Sequence, residues 1–75
     1  MACIVIFTFH NHGWYSSYDD VDMWAYKSDF GWALVYSYNS IPAYKARVFA
    51  SDTIYDIMNK VQELTRKEMR FSVVD

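Results

Sequence analysis

Cysteine, proline and glycine are scarce in this chain, which has one Cys, one Pro and two Gly among its 75 residues. The single cysteine, Cys3, excludes an internal disulfide and a zinc site built from thiolates. Because Cys3 stands in an apolar stretch, we expect a buried, unreactive thiol and a reducing compartment, the cytoplasm.

An excess of one charge and a long hydrophobic run are also missing. The net charge is −2, which fits neither a basic DNA-binding protein nor a strongly acidic nucleic-acid mimic. The sequence has no run of about 18 apolar residues, so it predicts no membrane-spanning helix. The apolar stretch 2–9 lacks the basic flank and cleavage site of a signal peptide. We expect one domain over residues 1–75, with no cofactor and no membrane partner.

Aromatic side chains are abundant, at 20% of the residues, with seven Tyr and three Trp. This content excludes an intrinsically disordered chain. A domain this small cannot bury so many large rings, and Tyr and Trp are enriched at interfaces. The composition therefore predicts surface anchors for a partner protein or for a second copy.

Four segments read as strands, at residues 2–9, 32–39, 43–50 and 69–74. The first is β-branched and aromatic throughout, which is typical of a central strand buried on both faces. The second is long, apolar and almost uncharged, and we expect it to be an edge strand on which two copies could pair.

Two helices are predicted between these strands. Ser16 stands three residues before Asp19, which is typical of a capped helix start, and Gly31 stands where that helix would end. Ser51 or Asp52 is expected to cap the second helix. Its apolar residues follow helical spacing: Ile54, Ile57, Met58, Val61 and Leu64.

The order strand, helix, strand, strand, helix, strand predicts a ferredoxin-like α+β sandwich. In this fold both helices cover one face of a four-stranded antiparallel sheet and leave the other face open. We expect the third strand to present Lys45, Arg47 and Phe49 on the open face. Candidates from its neighbours are Tyr36 and Tyr38 and either Phe7 and Phe9 or Ile6 and Thr8, since the register stays open.

Aromatic anchors without a catalytic motif favour a non-enzymatic protein, namely a small inhibitor or adaptor that docks on a larger protein. Binding hot spots are rich in Tyr, Trp and Arg. The run Gly13-Trp14-Tyr15 places two large rings in a predicted loop. The predicted partner-binding residues are Trp14, Tyr15, Tyr18, Tyr36, Tyr38, Tyr44, Lys45 and Arg47.

In size, lack of motifs and aromatic content, the chain is similar to small phage-encoded host-takeover proteins, including anti-CRISPR inhibitors. This resemblance is compositional and rests on no matching motif. It implies a viral protein that acts in the host cytoplasm.

Single-stranded nucleic acid is one alternative partner. An open sheet with aromatics beside Lys45 and Arg47 resembles RNA-recognition modules, in which bases stack on rings of the central strands. The basic-Gly-aromatic pattern of such modules is absent from the third strand, YKARVFAS.

A metal-dependent, nuclease-like enzyme is a further alternative. His10 and His12 flank Asn11, and alternate residues of a strand point the same way. Zinc needs three or four ligands, which Asp19, Asp20 and Asp22 could supply. The pair is similar to the His-hydrophobic-His motif of HUH nucleases, with Tyr55 as the helical tyrosine, although Asn11 is polar. The sequence otherwise predicts no metal site and no enzyme.

Overall fold

Six strands and one α-helix make up residues 4–72, which are the residues that the computed structural model describes, apart from the side chain of Ala43. Strands β1 to β4 run up and down in sequence, a short 3₁₀ turn and β5 follow, and α1 leads to β6. The bounds are β1 Ile4–His10, β2 Gly13–Tyr18, β3 Val21–Ser28, β4 Gly31–Tyr38, 3₁₀ Ala43–Lys45, β5 Arg47–Ser51, α1 Ile54–Thr65 and β6 Glu68–Phe71.

The strands form one mixed sheet in the order β5-β4-β3-β2-β1-β6, curled into a half-barrel. All neighbours are antiparallel except β6, which runs parallel to β1. Helix α1 packs inside the curl against β4, β5 and β6. We call the side of the sheet that faces α1 the inner face and the opposite side the outer face.

Tight turns with left-handed backbone join the first strands. Asn11 and His12 have φ values of 51° and 66° between β1 and β2, and Asp19 has a φ of 56° between β2 and β3. Such turns match the right-handed twist of antiparallel strands, and Asn and Asp tolerate this region better than most residues.

The core lies between the inner face and α1. Alternate residues of each strand point inward, as the burial of Val21, Met23 and Ala25 in β3 shows. Pairing of β3 with β4 sets Met23 opposite Tyr36 and Ala25 opposite Leu34, so neighbouring strands bury matching rows. The buried apolar residues are Val5, Phe7, Val21, Met23, Ala25, Leu34, Tyr36, Ile57, Val61 and Met69.

The helix predicted after residue 51 is present as α1. Ile57 and Val61 are fully buried, as the helical spacing predicts. The helix begins later than expected, because Thr53 is its N-cap residue, although Ser51 accepts a hydrogen bond from the Thr53 N–H at 3.3 Å. It ends at Arg66, whose φ of 61° lets its N–H donate to the Gln62 carbonyl at 2.7 Å.

The predicted ferredoxin-like sandwich is wrong, because the segment expected to be its first helix forms the β2–β3 hairpin. Asp19 lies in the turn of this hairpin rather than in a first helical turn. Ser16 faces the core with 6% exposure instead of capping a helix. Burial in β3 alternates with a period of two, so the apolar residues fit a half-buried strand.

The predicted strand positions also need correction. Residues 31–38 form the interior strand β4, and β5 is an edge strand instead. Pairing puts Arg47 opposite the buried Tyr36, so Arg47 and Phe49 lie on the inner face and not on the open one. Val48 points outward with 65% exposure. Within the third predicted strand, residues 43–45 form the 3₁₀ turn.

The first strand is interior, between β2 and β6, but it is not buried on both faces. Ile4 and Ile6 point outward with 43% and 51% exposure, whereas Phe7 is fully buried on the inner face. Cys3 and the outer ends of the predicted strands 2–9 and 69–74 lie outside the described residues.

Candidate functional site

An apolar cleft opens at one end of the half-barrel, which we call the cleft end. Here β1, β3, β5 and β6 end and β2, β4 and α1 begin, because β1 to β5 alternate in direction along the sheet and β6 runs parallel to β1. The cleft has a volume of about 380 Å³ and is lined by Trp14, Trp32, Ile54 and Phe71. Each of these residues stands within two positions of the end of its own element.

Phe71 holds the walls of the cleft together. Its ring meets Trp14 edge-on at a centroid distance of 4.7 Å and lies 6.0 Å from the ring of Trp32. Beneath it, Phe7 of the core lies at 6.4 Å. Aromatic contacts of this kind each contribute about 0.5–1.5 kcal/mol beyond simple burial, so the cleft walls are fixed by the core.

Exposed aromatic side chains extend the cleft on both sides. Phe9 is 57% exposed and packs edge-on against Trp14 at 5.1 Å. Phe30, in the turn between β3 and β4, is 92% exposed. It lines an adjoining depression of about 270 Å³ that shares Trp32 with the cleft. Phe9 therefore adjoins the cleft at Trp14, and the depression beside Phe30 adjoins it at Trp32, with Ser28, Ser51 and Asp52 among the residues that line that depression.

The outer face carries a second aromatic group. The rings of Tyr15 and Trp24 lie 5.0 Å apart, and the Tyr15 hydroxyl donates to Asp22 Oδ1 at 3.3 Å. Strand pairing places Val35 beside Trp24 and the exposed Val48 beside Val35, so a row of side chains continues across the sheet. Within residues 4–72, α1 is the only α-helix, and it packs on the inner face. The outer face is therefore a half-exposed apolar surface.

The predicted partner-binding residues do not converge on one surface. Trp14 lines the cleft, Tyr15 lies on the outer face, and Tyr36 is 7% exposed in the core. Others lie towards the opposite end: Tyr18 beneath Lys67 Nζ at 5.1 Å, Tyr38 edge-on to Tyr36 at 6.4 Å, the 83% exposed Tyr44 beside Lys45, and Arg47 at the start of β5.

The nucleic-acid alternative required Lys45 and Arg47 beside aromatics of the open face. In the structure Lys45 lies in the 3₁₀ turn and Arg47 on the inner face, while the outer face presents Tyr15 and Trp24. The cation on the outer face beside β1 is Arg70, which is paired with Glu68 at 3.1 Å. The outer face therefore lacks Lys45 and Arg47, the cations that were expected to flank stacked bases.

The two histidines stand close to the cleft end, with His10 closing β1 and His12 in the following turn. Asp19 and Asp20 follow the far end of β2, and Asp22 pairs with Ser17 near the same end, so most of this strand separates the three carboxylates from His12. Over residues 4–72, no group of three or more His, Cys, Asp and Glu side chains could hold a metal ion. The carboxylates proposed from the sequence therefore do not complete a site with His10 and His12.

Sequence reasoning missed most of the cleft. Trp32 and Phe71 were assigned to strands but not to a common site, because their meeting depends on β6 lying beside β1. Phe30 did carry a local signal, since a large apolar residue in a tight turn between Asp29 and Gly31 has no core to enter. The described part of the chain also contains no helix long and apolar enough to cross a membrane.

Comparison of the chain with protein-family models, with curated proteins and with solved structures found no match. The cleft and the surfaces around it are therefore the basis for a functional proposal.

Proposed function

We propose that this protein is a non-enzymatic binding module that docks on a larger protein and takes one large apolar side chain of that partner in its cleft. The observation that carries the proposal is the cleft of Trp14, Trp32, Ile54 and Phe71 with exposed Phe9 and Phe30 beside it. An inhibitory role and a viral origin stay predictions from composition.

Energetics support binding at this end of the molecule. Covering apolar surface contributes roughly 25 cal/mol per Å², and contiguous exposed apolar patches commonly mark interaction sites. Phe30 is 92% exposed, so the fold covers little of its ring and a partner could bury the rest. Trp side chains are frequent binding hot spots. Because ring contacts hold the Trp side chains of the cleft in place, little side-chain entropy is lost on association.

A protein partner fits the cleft better than a small molecule does. Small-molecule sites combine apolar walls with a few polar groups that orient the ligand. This cleft presents apolar surface alone, and the exposed rings of Phe9 and Phe30 stand on either side of it. Such a broad surface suits a protein that inserts one anchor and covers its surroundings.

Carboxylates border the apolar surface on the Phe30 side. Asp29 precedes Phe30 in the turn, and Asp52 lines the depression that Phe30 and Trp32 share. Acidic groups at an interface rim favour basic groups opposite them and raise the association rate. The best partner segment therefore presents a large apolar residue with Lys or Arg nearby.

Selection from a displayed library of random peptides tests the proposal. We expect the selected peptides to share one large apolar residue beside Lys or Arg, and to lose at least about tenfold in affinity, roughly 1.4 kcal/mol, on Phe30→Ser or Phe9→Ser. Tyr44→Ser is the matched control, since Tyr44 is 83% exposed but lies away from the cleft end.

Two results would contradict the proposal. One is a selection that enriches no common apolar residue. The other is a set of peptides that bind the Phe30→Ser, Phe9→Ser and Tyr44→Ser variants equally well. Circular dichroism spectra of the variants check that each exposed substitution leaves the fold intact.

A further inference from the structure

Strand β5 leaves one edge of the sheet without a strand partner. It is the first strand in the order β5-β4-β3-β2-β1-β6 and pairs only with β4 among the described strands. No backbone hydrogen bond joins Arg47–Ser51 to any turn or loop within residues 4–72. Its outward N–H and C=O groups therefore form a template for another strand.

The two edges of the sheet are unequal. At the other edge, β6 has four residues and presents the Glu68–Arg70 ion pair at 3.1 Å on the outer face. Charged side chains protect an edge from pairing with other chains. On β5 the outward residues are Val48, 65% exposed, and the exposed Ala50. The outer face of β5 therefore lacks the charges that guard β6, although Arg47 is exposed on its inner face.

We propose that β5 is an interface for a second copy of this chain, paired antiparallel about a two-fold axis at Phe49. This register pairs all five residues of each strand. Arg47 of each copy faces Ser51 of the other, and Val48 faces Ala50, which sets a larger side chain beside a small one. A two-fold axis makes both halves of the contact identical, as in most homodimers.

Charge complementarity favours this antiparallel arrangement. Arg47, at the start of β5, is exposed and forms no ion pair within the described residues. At the other end of the strand, the Ser51 hydroxyl donates to the Asp56 carboxylate of α1. Antiparallel pairing brings Arg47 of one copy beside the Ser51–Asp56 pair of the other. Parallel pairing would set two Arg47 side chains against each other, which is unfavourable.

A strand of another protein would not repeat the Arg47 contact at both ends of β5. We therefore assign the edge to a second copy of the chain. The four residues that line the cleft, Trp14, Trp32, Ile54 and Phe71, lie outside β5, although Ala50 and Ser51 also line the depression beside Phe30. Pairing joins two sheets into one and leaves both clefts available. The dimer and the peptide-binding cleft can therefore be tested separately.

Sedimentation equilibrium over a wide dilution series tests the interface. We expect a dimer for the parent chain and a monomer for Val48→Lys, because Lys next to the centre of the edge blocks pairing. Ile6→Lys is the matched control, since Ile6 is 51% exposed on the outer face but lies on the interior strand β1. This variant stays dimeric.

A charge exchange tests the register. Arg47→Asp alone weakens the dimer at least about tenfold, and the combined Arg47→Asp and Asp56→Arg variant recovers it, because the two charges meet across the axis. A monomeric parent at every concentration overturns the proposal. So does a Val48→Lys variant that dimerises as well as Ile6→Lys. A charge exchange without recovery overturns the register.

Discussion

The ring of Trp14 meets the ring of Phe71 edge-on, with the two centroids 4.7 Å apart. This contact joins β2 to β6 across β1, which lies between them in the sheet. It also forms one corner of the cleft, so the same pair of rings contributes to stability and to the proposed binding surface.

Phe71→Ala therefore destabilises the fold, although Phe71 is only partly buried. The substitution removes ring contacts with Phe7, Trp14 and Trp32, and we expect the free energy of unfolding to fall by about 3 kcal/mol. Urea unfolding followed by Trp fluorescence measures the change. Phe30→Ala, at a position that is 92% exposed, should stay within about 0.5 kcal/mol of the parent. Equal effects would show that Phe71 does not tie the strands together.

Gly31→Ala is expected to be much more costly than Gly13→Ala. Gly31 has a φ of +129°, and an added Cβ would lie 2.6 Å from the Ser51 carbonyl oxygen, which is backbone and cannot move aside. We expect a loss of at least about 2 kcal/mol. At Gly13 the added Cβ would lie 2.5 Å from Cε1 of Tyr26.

The Tyr26 ring is 38% exposed and can rotate away, so Gly13→Ala should lose about 1 kcal/mol or less. Thermal unfolding of the two variants and the parent shows which substitution lowers the stability more. A more stable Gly31→Ala protein would refute the account of this turn.

Thr65→Val tests the hydrogen bonds at the end of α1. Thr65 is 6% exposed, its hydroxyl donates to the Val61 carbonyl at 2.8 Å, and it accepts from the Lys67 N–H at 3.1 Å. Val has nearly the same shape but leaves that N–H without this acceptor, so we expect a loss of about 1–2 kcal/mol.

Thr8→Val is the control for the same chemical change. The Thr8 hydroxyl is exposed, and its hydrogen bond to the Tyr15 carbonyl is long, at 3.5 Å. Its free energy of unfolding should stay within about 0.5 kcal/mol of the parent. Denaturant titrations that give both threonines the same cost would remove the role assigned to Thr65.

The sequence predicts α1 well because helical spacing and burial agree there, as at Ile57 and Val61. It fails at β2 and β3 because the apolar residues there fit both the period of a helix and the period of a strand. Val21 and Ala25 fit one face of a helix, but Val21, Met23 and Ala25 also fit one face of a strand, and the turn at Asp19 decides for the strand. Turn-forming residues between short aromatic runs were the signal for a β-meander.

The cleft was harder to predict than the elements that form it. Of the residues predicted to bind a partner, only Trp14 lines it. Trp32 and Phe71 come together because β6 adds beside β1 in a parallel arrangement, and no short-range pattern specifies that neighbour. Long-range pairing of this kind is set by the whole fold and not by local spacing.

The parallel pairing of β6 with β1 also has a consequence for the order of folding. The β1–β4 meander needs only contacts between adjacent hairpin strands, whereas β6 can pair only after β5 and α1 have brought the chain back across the half-barrel. Closing so long a loop costs more entropy and is slower than forming a hairpin. During synthesis β1 would therefore wait with one edge open until residues 68–71 leave the ribosome, and the cleft, with Phe71 as a wall, would be the last part of the surface to form.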